Sequence, residues 1–168
     1  MKKPYLATIL GVCLALCLGA DSQIASKLHF PQIGFSIAPL KVDTGGATFT
    51  AVEMLMPPTA NFAANVNVQV QAYADSMDNY IALSKQQMDQ MKLQMIKFDK
   101  PAADTCVFEY NGQMGENKVH FYGKGILKSG TVFLATATTT EDQWASVSDN
   151  FKACVDSLQL DSSNAAQP

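Results

Sequence analysis

Seven residues near the middle of the chain alternate without exception: Asn65-Val66-Asn67-Val68-Gln69-Val70-Gln71. Strand side chains leave a sheet on opposite faces at period two, so three valines point one way and four amides the other. A helix would scatter both sets around its axis. This stretch therefore demands a sheet with a valine face under cover and an amide face turned elsewhere, and something apolar must supply the cover.

Two helical stripes can do so. Met77, Ile81, Ser84, Met88, Met91 and Met95 recur every three or four residues, which predicts one amphipathic helix capped by Asp75 or Ser76 and running to Met95. Gln86, Gln87, Asp89, Gln90 and Lys92 fall largely on its wet side. Trp144, Val147, Phe151, Cys154, Val155 and Leu158 make a second stripe. Thr140 with Gln143 reads as a capping box, and Glu141 and Asp142 suit the positive end of the helix dipole.

Strands fill the remainder. Phe35, Ile37 and Leu40 open an apolar segment ending near Lys41-Val42-Asp43, and Gly45-Gly46 marks a turn. Thr48 to Met56 is strand-like up to Pro57-Pro58, which cannot continue regular pairing. Cys106, Phe108 and Tyr110 share a face, with a bend expected at Asn111-Gly112. Lys118, His120, Tyr122 and Lys124 alternate with Val119 and Phe121, which makes His120 a half-exposed strand residue. Thr131 to Thr138 is apolar on both faces and belongs inside the sheet. The expected order is β-β-β-α-β-β-β-β-α. The fold class is α+β: an antiparallel sheet of about six to seven strands with helices packed on it as an α/β/α sandwich. It forms one domain over residues 33–160, between a lead-in at 21–32 and a disordered tail at 161–168.

Residues 1–20 read as a signal peptide. Lys2 and Lys3 precede fourteen residues without a charge, Tyr5 to Leu18, and small residues follow at Gly19 and Ala20, the expected cleavage point. As a helix the fourteen reach about 21 Å, short of the ~30 Å hydrocarbon core. The mature protein is therefore expected to be secreted or periplasmic, with no stable membrane insertion. Lipidation at Cys17 is the alternative, opposed by the bulk of Leu16 just before it. Twelve Lys, no Arg and fifteen acidic residues leave a net charge of −3, which suits neither nucleic acid nor an anionic membrane surface.

Signal cleavage removes Cys13 and Cys17, leaving Cys106 and Cys154 in an oxidising compartment. An even pair there predicts a disulfide from strand to helix, closing a loop of about 49 residues for about 4 kcal/mol in the chain-entropy model. Two buried free thiols are the other reading.

Little in the chain suggests catalysis. There are two histidines, His29 and His120, no nucleophile elbow and no Gly-rich phosphate loop. Met88, Met91 and Met95 would share one helical face, with Met54 and Met56 together on a strand face. Soft thioethers select copper(I), although methionine also fills irregular cores. The amides Asn65, Asn67, Gln69 and Gln71 could form a partner-binding face, and an exposed amide strand could also accept a partner's strand along its edge.

Gly34-Phe35-Ser36-Ile37-Ala38-Pro39, the stretch Asn61 to Val68, the central helix, the Gly130-Thr131-Val132-Phe133 strand and the closing Ser157-Leu158-Gln159-Leu160 together resemble the PsbP/DcrB-like family over residues 33–160. The resemblance implies an α/β/α sandwich and an extracytoplasmic accessory or assembly role, in most members without enzymatic activity; no cofactor is expected. A tryptophan common in that family after the first strand's proline is absent here, where Leu40-Lys41-Val42 follows Pro39. The expected function is a secreted or periplasmic, non-catalytic protein that supports or binds an envelope or host protein. A copper(I) carrier using the methionine stripe is the alternative, and a hydrolase the third reading.

Overall fold

The computed structural model describes residues 27–31, 33–40 and 47–161. The signal segment with Cys13 and Cys17, most of the lead-in, Gly45-Gly46 and the tail after Asp161 lie outside the described residues. The chain divides into two compact units, Met1–Val42 and Asp43–Pro168. In the first, β1 (Leu28–Phe30) and β2 (Phe35–Ile37) pair antiparallel, and Phe30 stacks on Phe35 at 4.8 Å.

The second unit runs β3 (Phe49–Leu55), β4 (Asn65–Ala72), α1 (Met77–Gln90), β5 (Gln94–Ala102), β6 (Thr105–Met114), β7 (Asn117–Lys128), β8 (Thr131–Thr140) and α2 (Glu141–Asp156). Its six strands form one antiparallel sheet in the order β3-β4-β8-β7-β6-β5. β8 lies between β4 and β7, the interior place its two apolar faces require. Ser129 and Gly130 both take positive φ in the β7–β8 turn, the conformation that suits strand twist in a two-residue hairpin.

Each face of the sheet has its own core. Val66 packs with Ala64, Tyr122, Ala135, Ala137, Phe151 and Val155 beneath α2. Cys106, Phe108 and Val132 pack with Met77, Tyr80, Ile81 and Met88 of α1 on the other side. Strand alternation separates the two sets: Cys106 and Phe108 face α1, while Val107 between them joins the α2 side.

Several expectations need correction. The middle helix does not reach Met95; it stops at Gln90, and Met95 lies on β5, a strand absent from the sequence reading at that place. The stop is a Schellman closure. Lys92 takes φ 59°, its N–H bonds Asp89 O at 3.0 Å, and Leu93 N–H bonds Met88 O at 2.9 Å. The apolar contact that usually accompanies the motif is available too, since Met88 and Leu93 belong to the same core. Asn111-Gly112 is not a bend but runs within β6. A Cβ on Gly112 would meet Leu93 Cδ2 at 2.3 Å, so the missing side chain admits Leu93 rather than a turn. The capping box of α2 does not form: Thr140 is the N-cap without a side-chain bond, and Thr139 Oγ1 donates to Gln143 Oε1 instead.

Candidate functional site

The valine face of β4 is covered by α2, so the amide face turns toward the α1 side. There α1 packs over β5 and β6 and leaves the β4–β8 end of the face open. The result is a groove of about 510 Å³. Asn65, Asn67 and Gln69 of β4 line it with Thr136 and Thr138 of β8, and Tyr110 and Phe121 close its far side. Register explains the grouping, because Asn67 lies opposite Thr136 and Asn65 opposite Thr138, all on one face. Tyr110 and Phe121 are likewise cross-strand partners, stacked at 4.7 Å.

The amides are half-buried and bonded along the strand. Tyr80 O–H donates to Gln71 Oε1 at 3.0 Å, and Gln71 Nε2 donates to Gln69 Oε1 at 3.1 Å. Beyond the gap, Asn67 Nδ2 donates to Asn65 Oδ1 at 3.4 Å, and Asn65 Nδ2 to Ala63 O at 3.2 Å. Asn67 Oδ1 is buried without a partner among the described residues. Gln71 is thus tied to α1, while Asn65, Asn67 and Gln69 face the groove. β4 is not an edge, however. β3 and β8 pair both its sides, so strand addition along the amide strand is closed; the edges of this sheet are β3 and β5.

A second polar cluster lies under α2, and the sequence reading missed it. His120 is 3% exposed rather than half-exposed, because the first turns of α2 cover it. Glu141 Oε2 lies 3.1 Å from His120 Nδ1, Glu109 Oε1 lies 3.2 Å from Nε2, and Trp144 stacks on the ring at 3.8 Å. Lys152 Nζ reaches Glu109 Oε2 at 3.1 Å, and Tyr122 O–H donates to Asp156 Oδ1 at 2.9 Å. Burial first, then the Asp156 bond, raises the Tyr122 phenol above its ordinary value. Both imidazole nitrogens face carboxylates and one ring face lies under indole, so His120 is enclosed by its neighbours rather than open at the surface. Its one sequence signal was a shared strand face with Lys118 and Tyr122; the carboxylates come from β6 and α2.

The expected Cys106–Cys154 bridge is not formed. Among the described residues both thiols are free, and they lie on opposite faces of the sheet, Cys106 against α1 and Cys154 in α2. Burial pushes the Cys106 thiol up to about 11. The methionine stripe is likewise broken. Met88 is in the core, Met91 is the 60% exposed C-cap of α1, and Met95 is on β5, so the three thioethers share no helical face. Met54 and Met56 lie at the β3 edge, both exposed. Among the described residues no three His, Cys, Asp or Glu side chains group as metal ligands, and no helix is long and apolar enough to cross a membrane.

No family model matches the chain. No curated protein matches it either. Solved structures similar to it include a crystal structure of the Pseudomonas aeruginosa protein PA94, of unknown function, at 12% identity and a TM-score of 0.59, covering 81% of this chain and 96% of that one. The solution structure of the cyanobacterial PsbP, CyanoP, from Synechocystis is similar at 14% identity and a TM-score of 0.45, covering 90% of this chain and 99% of that one. The likeness to PA94 is one of fold, and with the sheet and two helices described above it makes the chain an α+β protein with a helix on each face of an antiparallel sheet.

Proposed function

We propose that the protein is a secreted or periplasmic, non-catalytic accessory protein that binds an envelope or host protein through the open half of its α1-side sheet face. The observation that carries this reading is the groove over Asn65, Asn67, Gln69, Thr136 and Thr138, a concave surface built from both donors and acceptors on rigid strands. The chemistry elsewhere supports binding over catalysis: His120 is enclosed between carboxylates, and the thiol of Cys106 is buried and kept protonated. Export rests on the charged start and the fourteen uncharged residues after it.

Site-specific photocrosslinking in the native host tests the reading. A crosslinker at Thr136 should capture a reproducible extracytoplasmic protein, while one at Gln87, on the exposed side of α1, should not. Recovery of no reproducible neighbour from any position on the sheet face would overturn it.

A further inference from the structure

We propose that the groove takes an extended peptide segment with one basic side chain, its backbone bonded to the amide row and its cation held by Glu53. The inference rests on the partner-binding reading above and adds the chemistry of the bound segment.

Spacing is the first argument. Asn65, Asn67 and Gln69 sit on alternate residues of β4, about 6.8 Å apart. An extended chain turns an N–H and a C=O to the same side at the same two-residue interval. Each side-chain amide offers one donor group and one acceptor, so the row matches a peptide backbone in both period and polarity. Hydrogen-bonding capacity is the second. The bonded ladder is interrupted between Gln69 and Asn67, and among the described residues Asn67 Oδ1 is left buried without a donor. The terminal torsion of asparagine is soft, and the bond its Nδ2 makes is a long 3.4 Å, so the amide can turn to accept an arriving N–H.

Charge is the third argument and selects the sequence of the segment. Among the described residues Glu53 is the one charged residue in the lining; it is exposed and lies opposite Asn67 in register. Among the described residues it makes no ion pair. A peptide carrying Lys or Arg at this point neutralises Glu53, whereas an acidic segment is repelled.

Selection of displayed random peptides of about seven residues, ~24 Å when extended, against the mature full chain tests the proposal. Enriched sequences should carry Lys or Arg, lack Pro and be poor in Asp and Glu. Affinity of the best resynthesised peptide should fall about tenfold in Glu53→Gln and in Gln69→Leu, and Glu53→Gln should also flatten its salt dependence. Thermal melting of each variant separates lost binding from lost fold, and Thr136→Val offers a further position on the same floor. The proposal is overturned by no enrichment, by enrichment without a basic residue, or by peptides that bind both variants as well as the parent. Enrichment of the protein on glycan arrays or lipid vesicles instead would do the same. A neighbour captured from Thr136 alongside a failed peptide selection leaves the accessory reading standing and removes only this inference.

Discussion

Cys106 is wholly buried between Tyr80 of α1 and Gly125 of β7, where a Cβ on the glycine would lie 3.1 Å from its sulfur. A fully enclosed thiol whose ionisation burial pushes up to about 11 is a poor nucleophile near neutrality. Cys154 is part-exposed on the other side of the sheet. Alkylation of the native mature protein at neutral pH should therefore modify Cys154 at least about tenfold faster than Cys106, with two thiols titrating after unfolding without reductant. Equal rates, or no free thiol in the unfolded protein, would contradict the packing described. The parity of the cysteine count was legible in the sequence, but the side of the sheet each sulfur occupies was not. That depends on which helix covers which face, and no local pattern records it. His120 teaches the same lesson: its alternation placed it on a strand, whereas its burial follows from α2 crossing above it.

At the scale of elements, the end of α1 decides what becomes of the methionines. Periodicity continues through Met91 to Met95, yet the chain leaves the helix because Lys92 adopts a left-handed conformation and Leu93 folds back over Met88. A non-glycine residue there is held at a cost of about 1 kcal/mol by the two closing hydrogen bonds and the apolar contact. Lys92→Gly should relieve most of it, raising stability by roughly 0.5–1 kcal/mol in chemical denaturation without altering the slope. A loss of stability would mean that Lys92 makes contacts worth more than its strain. Periodicity alone cannot signal this break, because strand β5 happens to continue the helical spacing of apolar residues for one more methionine. The N-terminus of α1 was more legible: Ser76 Oγ accepts from Asn79 N–H at 3.2 Å, as its place before the stripe suggested.

For the whole molecule, buried phenols tie stability to alkaline pH. Burial pushes Tyr80 and Tyr110 up to about 12 from an ordinary 10.0. A folded-state value above the unfolded one favours the neutral form on folding, so this contribution is complete below about pH 10 and is lost as pH rises from there toward 12. The thermal midpoint should hold to the onset of tyrosine ionisation and then fall. Phenolate absorbance from these two residues should appear together with unfolding rather than before it, and Tyr80→Phe should reduce the alkaline loss. Phenolate from both in the still-folded protein would show that their surroundings are open to water.

By itself the sequence determined the period-two strands, the interior place of β8, the existence of two amphipathic helices and hence the α+β class, because these follow from short-range alternation and capping that each segment carries within itself. It also determined that the amides of β4 face away from the valines. Only the tertiary structure decided that α1 shelters Gln71 while leaving Asn65, Asn67 and Gln69 over a groove, that His120 is enclosed by Glu109 and Glu141, and that the two thiols lie on opposite sides of the sheet. Those outcomes depend on strand order and on the length of a helix relative to the face it covers. Strand order is set by contacts between residues far apart in the chain, and the helix length by a left-handed stop at Lys92 that apolar periodicity runs straight through.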